Sequence, residues 1–353
     1  MSPLPSSHNA RPILFSCAGR RNELLSRFRA SAERLLQDGS LAHAPEMVVL
    51  DADPAAPALR EADRFEMGRT IDRWDEPWLR GLLDRWKPAA IIPLIDHELG
   101  FWAAHRDRIA GGGATAWVSG PETVRLCLDK RATKDFLASI DIPVPEYVSG
   151  PDDAAPDNSG DAQPTRWLAK PRYGHSSRGI FPDAFMRAEP SVYGRPWLDH
   201  FLGRDDYIVE ERIEGPEISV DVLADHDGSM PCAVPRYRTK TVGGEVVQSE
   251  TFYDAALEEQ VGRIIRALPD PFGPLNIQCI RDGQGRYRFT EINPRFGGGV
   301  TLSIAAGADM PGWMMARDLG LPFGPERLSW QADVRMSRYP QGVYSELKGE
   351  RER

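Results

Sequence analysis

The stretch from Asn276 to Arg295 constrains this chain more than any other. It reads Asn-Ile-Gln-Cys-Ile-Arg-Asp-Gly-Gln-Gly-Arg-Tyr-Arg-Phe-Thr-Glu-Ile-Asn-Pro-Arg. Two segments of strand character flank Asp282-Gly-Gln-Gly285, a strong turn signal. An antiparallel hairpin with one register kept along its length sets Gln278 opposite Glu291 and Asn276 opposite Asn293. Directly opposed residues point to the same side of a sheet, with Cβ atoms about 4.5–5.5 Å apart. Gln278, Glu291 and Asn293 then project oxygens from one face, beside the cationic Arg295. Hard oxygen ligands placed this way suit Mg²⁺, which takes one or two carboxylates and completes its shell with water and phosphate oxygens; Mn²⁺ is an admissible substitute. A surface hairpin with an acidic end is the plainer account of a lone glutamate, but four polar groups at one strand terminus favour a site. A slip of one residue would send Gln278 to the opposite face.

Upstream, strands and helices alternate. Ile13–Cys17 reads as a buried strand, Ala18-Gly-Arg-Arg21 as a turn into an amphipathic helix through about Leu36. A second strand, Met47–Leu50, ends in Asp51-Ala-Asp53; a helix spans Trp78–Trp86 and a third strand Ala89–Ile95. That order implies βαβ units and a parallel sheet with ligand-facing loops at the strand C-termini. Gly19 alone is a weak dinucleotide signal, because the G-x-G-x-x-G fingerprint is absent. Asp96-His-Glu98 opens a helix, and a zincin site fails because Phe101 stands where the second histidine is required. Capping of that helix is the favoured reading; contact with substrate is the alternative.

With 353 residues the chain has room for about two to three compact subdomains. Its 41% hydrophobic and 27% charged content is that of a soluble globular protein. A net charge of −9 argues against a nucleic-acid-binding surface. The N-terminus lacks a cationic start followed by an apolar core, and no run of 18 apolar residues exists, so neither a signal peptide nor a membrane span is expected. Cys17, Cys127, Cys232 and Cys279 show neither close pairing nor metal-ligand spacing, and read as buried thiols in a reducing, cytoplasmic compartment.

Ser119-Gly-Pro-Glu122 is a helix-start signal, and a further helix over Leu128–Leu137 ends at Ile142-Pro-Val-Pro145. On that charged helix Lys130 alone reads as solvated surface. Residues 150–165 lack periodicity and read as a mobile surface insertion. Trp167-Leu-Ala-Lys170 is a strand delivering a lysine, followed by Tyr173-Gly-His-Ser-Ser-Arg-Gly179. The glycines have P-loop spacing, but Ile180 and Phe181 stand where Lys and Ser/Thr must follow, which rejects a Walker A loop. A Gly/Ser hairpin whose amides cradle phosphate oxygens and a plain surface turn both remain. From Tyr207 to Val222, alternation turns Glu217, Ser219 and Asp221 one way and Ile218, Val220 and Val222 toward a core; a solvated outer face is the simple account. Arg236, Arg238 and Lys240 share a face by period two. Three such charges repel unless an anion, phosphate or carboxylate, sits among them; an exposed edge strand is the competing account.

Glu291-Ile-Asn-Pro-Arg295, followed by Phe-Gly-Gly-Gly299, resembles the metal and phosphate end of ATP-grasp enzymes, in the carbamoyl-phosphate-synthase-like and carboxylate–amine ligase branches. The resemblance runs from about Ile13 to Gly320. It implies a mixed α/β and α+β architecture: a Rossmann-like pre-grasp domain over 11–125, then a two-subdomain ATP-grasp fold. The N-terminal subdomain would span 126–209 with the insertion 150–165, the C-terminal one 210–340, with a charged tail over 341–353. The resemblance further implies ATP held by Lys130, Lys170, Ser176 and Ser177, with Glu210, Glu211 and Ile213 in the adenine linker and Glu217 near the ribose. Mg²⁺ would be held by Gln278, Glu291 and Asn293. Arg238, Arg295 and Lys240 form the implied catalytic set, with Lys170 also countering charge on the transferred group. One departure stands out: the first metal ligand is Glu in many relatives and Gln278 here, which implies activity with weaker retention of one ion. The implied function is an ATP-dependent carboxylate–amine ligase acting through an acyl phosphate on amino-acid-like or small peptide substrates, releasing ADP and phosphate. An ATP-binding protein without turnover and a kinase-like phosphoryl transferase are the alternatives. The partners implied are a small carboxylate and a small amine, with no nucleic acid or membrane, and a homodimer is favoured.

Overall fold

The computed structural model describes residues 11–148, 167–174, 179, 181–182, 200–201 and 204–344. Two compact units divide the chain: residues 1–118, 304–330 and 337–353 form one, and 119–303 with 331–336 form the other. The N-terminal stretch runs β1 (Ile13–Ser16), α1 (Asn22–Gln37), β2 (Met47–Asp51), α2 (Ala58–Glu61) and β3 (Arg64–Met67). It continues with α3 (Glu76–Trp86), β4 (Ala90–Pro93), α4 (Asp96–Ala104), α5 (Arg106–Gly111) and β5 (Thr115–Ala116). Next come α6 (Pro121–Leu128), α7 (Lys130–Ser139), β6 (Tyr147–Val148), β7 (Trp167–Pro171), β8 (Phe181–Pro182) and β9 (Tyr207–Glu211). They are followed by β10 (Glu217–Ala224), β11 (Cys232–Val242), β12 (Glu245–Thr251), α8 (Ala255–Ala267), β13 (Gly273–Arg281) and β14 (Tyr287–Asn293). The chain closes with α9 (Val300–Ala305), α10 (Met310–Asp318) and β15 (Arg335–Ser337).

The first unit is built on a parallel sheet in the order β3-β2-β1-β4-β5. Strands β1, β2 and β4 are buried along their whole length, which is why they read as continuous apolar runs rather than as alternating patterns. Helix α1 buries Leu24, Leu25, Phe28, Ala32 and Leu35, one stripe at helical spacing. Helix α10, distant in sequence, packs on α1 through the same unit: Ser31 Oγ donates to Asp309 Oδ1 over 2.5 Å, and Arg34 pairs with the same carboxylate at 2.9 Å. In α4, Glu98 is wholly buried and accepts from the amides of Leu94 and Ile95 and from Trp102 Nε1, at 2.7, 3.1 and 2.8 Å. It therefore holds the helix start, as the capping reading expected, and burial pushes its carboxyl above the usual range.

The second unit holds two sheets. One has six strands in the order β14-β13-β10-β11-β12-β15, the other four in the order β6-β9-β7-β8. One face of the larger sheet, carrying Ile218, Val220, Val222, Leu275, Ile277, Phe289 and Ile292, closes a core with Cys127 and Leu137 and with Leu257, Val261, Ile264 and Ile265 of α8. The other face is polar yet buried: Ser219, Asp221, Arg236 and Asn276 are each at most 2% exposed. The alternative account of a solvated outer face thus fails for Ser219 and Asp221 and holds for Glu217.

The β13–β14 hairpin pairs Asn276 with Asn293, Ile277 with Ile292 and Gln278 with Glu291, as the sequence predicts. The uniform register does not continue to the turn, because Cys279 pairs with Phe289. A bulge at Thr290 takes up the extra residue. Its cause is packing: Phe289 and Ile292 both enter the core but stand three residues apart, a spacing that strict alternation cannot put on one face. Among the described residues no helix is long and apolar enough to cross a membrane. All four cysteines are free; Cys17 is half-buried and the other three buried.

Candidate active site

At the bulged end of the hairpin, Gln278, Glu291 and Asn293 lie half-buried on the polar face of the sheet. Arg295 Nη2 lies 3.4 Å from Asn293 Oδ1, and its Nη1 donates to Phe296 O over 3.1 Å. One carboxylate and two amides on adjacent strands, in a face shielded by the chain, form an all-oxygen donor set that fits a hard divalent cation. No cluster of three or more His, Cys, Asp or Glu side chains suited to a metal occurs among the described residues, so the two amides are essential to any such site.

Behind these residues lies a buried polar network. Asp221 accepts from Arg236 Nε at 2.7 Å and Nη2 at 3.2 Å, from Ser303 Oγ at 2.7 Å and from Asn276 Nδ2 at 2.7 Å. Asn276 Oδ1 in turn accepts from Gln278 Nε2 at 3.2 Å. The turn after Arg295 closes over this network. A Cβ at Gly297 would lie 2.7 Å from Asn276 Nδ2, and one at Gly299 would lie 2.6 Å from Arg236 Nη1. Glycine is required there because the backbone passes directly over buried polar atoms. Buried Arg236 Nη1 has no hydrogen-bond partner among the described residues.

A second buried cluster joins the smaller sheet to α7. Glu210 Oε1 lies 2.8 Å from Lys170 Nζ and its Oε2 lies 2.7 Å from Lys134 Nζ, with all three side chains at most 5% exposed. β7 and β9 pair Leu168 with Glu210 and Lys170 with Ile208, so Lys170 and Glu210 are diagonal neighbours within reach of long side chains. Burial alone would raise the Glu210 carboxyl, but the two ammonium groups overcome it and hold it below the usual range. Burial would likewise lower Lys170, yet Glu210 and then Glu291 hold it above its ordinary value. Lys134 goes the other way: burial outweighs Glu210, and its ammonium is pushed down to about 8. Two cations share one close carboxylate, and Glu291 adds its field to both.

Helix α7 is locked to the end of β7. Asp129 caps it through the amides of Arg131 and Ala132, and takes a bidentate contact from Arg172 at 2.8 and 2.6 Å. Lys130, in the first turn, donates to Gly174 O over 2.8 Å. This exposed contact ties it to Gly174, at the start of the glycine/serine segment. Ser176 and Ser177 lie outside the described residues.

The other expected residues divide. Arg238 pairs with Glu217 at 3.2 Å and reaches Gly244 O, so the ribose-side glutamate and the catalytic arginine of the sequence reading contact each other. Lys240 lies exposed in the outer part of β11, beyond irregular pairing with β12. Glu211 takes the Glu146 amide at 3.4 Å at the strand edge, and half-buried Ile213 lies in the β9–β10 connection. The repulsion argument for Arg236, Arg238 and Lys240 is answered in part within the chain, since Asp221 and Glu217 neutralise the first two. Lys134 and the pairing of Asp221 with Arg236 were not singled out from sequence. The signal for the pair, an acid on one strand and a base on the next, becomes visible only once the β10–β11 register is known.

Residues 204–341 match the family described as ATP-grasp in the biosynthetic pathway with Ter operon, and residues 13–116 match the PylC-like N-terminal domain. Residues 204–341 thus match an ATP-grasp family, and the chain as a whole has an ATP-grasp fold. It is 27% identical over 257 residues to the uncharacterized protein y4rH of Sinorhizobium fredii, covering 70% of this chain and 51% of that protein. A D-alanine–D-alanine ligase of a Marinomonas species is 32% identical over 152 residues, which cover 39% of this chain and 45% of the ligase. The chain thus spans about half the length of the curated relatives it matches. Among solved structures, biotin carboxylase of Campylobacter jejuni superposes with a TM-score of 0.66 at 17% identity, over 91% of this chain and 73% of that one. An L-amino acid ligase of Bacillus licheniformis gives 0.63 at 16% identity, over 92% and 78%. At these identities the likeness establishes the fold.

Proposed function

We propose that this protein is an ATP-dependent carboxylate–amine ligase, with amino-acid-like or small peptide substrates. The observation that carries the reading is the β13–β14 register, which sets Gln278 against Glu291 and Asn276 against Asn293 beside the buried Ser219, Asp221 and Arg236 of the polar face. Within this reading the ATP-grasp subdomains span 126–209 and 210–340 after a pre-grasp domain over 11–125. Lys170 and Lys130 bind the nucleotide phosphates, with the segment that includes Ser176 and Ser177. The backbone of Glu210 to Ile213 meets adenine, and Glu217 lies toward the ribose. The side chain of Glu210 has a different task, since it is committed to two lysines.

Gln278, Glu291 and Asn293 would hold Mg²⁺ or Mn²⁺, which when bound shields the phosphate charge. The substrate carboxylate attacks the γ-phosphorus, forming a P–O bond as the bond to the β-phosphate oxygen breaks and ADP leaves. The amine then attacks the acyl carbon, a C–N bond replaces the C–O bond to phosphate, and the amine proton is lost as phosphate departs. Catalysis is positioning and charge stabilisation: Lys170 and Arg295 oppose the charge on the transferred group, and Arg238 and Lys240 meet the oxyanionic substrate. Free thiols and the related enzymes together support a cytoplasmic protein acting as a homodimer on small molecules.

The test is ADP release by the full chain with pairs of amino acids, alongside detection of an amide product. Turnover that needs both a carboxylate and an amine supports the reading. A stable phosphate ester seen by phosphorus NMR, or nucleotide binding without turnover, refutes it. Glu291→Ala should abolish ADP formation while the far-ultraviolet circular dichroism stays unchanged. Wild-type turnover in that variant would remove the metal assignment.

A further inference from the structure

We infer that Asp221 and Asn276 are positioning residues that fix which end of the Gln278 amide faces the cation. This inference rests on the metal reading above and adds to it the reason a neutral glutamine serves where an acid would be simpler.

Asp221 is 1% exposed and its two oxygens already accept from Arg236 and Ser303. Beside an ionised, acceptor-only carboxylate, Asn276 can present only its NH₂ group, and Nδ2 lies 2.7 Å from Asp221 Oδ1. The Asn276 carbonyl is thereby turned to the other side, where only a donor can meet it. Gln278 supplies that donor, with Nε2 at 3.2 Å from Asn276 Oδ1. Its amide is then committed: Nε2 is held by Asn276, and Oε1 is the end left for a ligand. A flipped glutamine would offer two N–H groups to a cation and set carbonyl against carbonyl at Asn276. The orientation thus follows from the Asp221 charge through two successive hydrogen bonds, neither of which reaches the metal. Outer groups of this kind commonly change metal affinity by about 10- to 100-fold.

A carboxylate at position 278 has no wrong end, so the relay matters only while residue 278 is an amide. The experiment compares Asn276→Leu in the wild-type and Gln278→Glu backgrounds. Full-length protein is titrated with Mn²⁺ in the presence of a non-hydrolysable ATP analogue, and free Mn²⁺ is followed by electron paramagnetic resonance. Asn276→Leu should weaken Mn²⁺ binding about tenfold in the wild-type background and by less than about twofold in Gln278→Glu. Asn276→Ala, read by the same ratio, replaces it if the leucine variant does not fold. Equal weakening in both backgrounds, or none in the wild type, overturns the relay while leaving the metal assignment standing. If Gln278→Glu and Glu291→Ala both leave Mn²⁺ binding unaltered, the metal assignment itself falls and the relay with it.

Discussion

The carboxylate of Glu210 is committed to two buried lysines. Glu210 lies near the end of β9, in the stretch that the resemblance implies meets adenine, and β7–β9 pairing turns its carboxylate to Lys170 and Lys134. Removing it leaves two buried ammonium groups without their close counter-charge, so Glu210→Gln should destabilise the protein by about 3 kcal/mol. Lys134→Met leaves a balanced Lys170–Glu210 pair and should cost less; urea unfolding ranks the two, and the reverse order would contradict the shared-carboxylate account. Lys134 also sets a pH dependence. Its ammonium titrates near 8 when folded, because burial outweighs Glu210, against 10.5 in the ordinary state. Between those values the unfolded chain binds more protons, so this contribution to stability rises with pH from 8 to 10.5 and its penalty is full below 8. Lys170, whose ammonium is held above its ordinary value, acts in the opposite sense, stabilising at lower pH and losing that effect as it deprotonates. The difference in unfolding free energy, wild type minus Lys134→Met, should therefore climb above pH 8; a flat or falling profile would exclude it.

Among the elements, the β13–β14 hairpin was the most legible. Two strand-like segments, a glycine turn and polar residues at one end were enough to pair Gln278 with Glu291. The bulge was not legible, because it answers a demand from across the core: Phe289 and Ile292 must both pack against the helices, while Glu291 between them must not. The backbone of the Gly297–Gly299 turn passes close to buried side chains of the chain itself. Gly299→Ala puts a methyl 2.6 Å from Arg236 Nη1 and 2.8 Å from Val246 Cγ1. Such overpacking should cost about 1–3 kcal/mol, seen as a lower urea midpoint with an unchanged slope. A variant as stable as the wild type would mean that the turn yields more readily than its buried neighbours suggest.

For the whole molecule, the chain leaves its first unit after residue 118 and supplies that unit again from residue 304. Helix α10 brings Met310, Met314 and Met315 into the core of that unit. Trp117 donates to Asp318 over 2.7 Å and meets the Trp313 ring edge-on at 5.7 Å. A fragment of residues 11–118 therefore lacks one wall of its core and should show weak near-ultraviolet circular dichroism and no cooperative unfolding; a sharp transition would show that α10 is dispensable. By itself the sequence determined the alternation of strands and helices, the parallel and antiparallel character of the sheets and the hairpin's register at its polar end. These follow from local periodicity and turn chemistry, which neighbouring residues carry. Only the tertiary structure decided which charges neutralise one another, where the bulge falls and which late helix completes the first unit. Those outcomes depend on strand registers and packing between segments far apart in the chain, where burial gives a charge or a methyl group its cost.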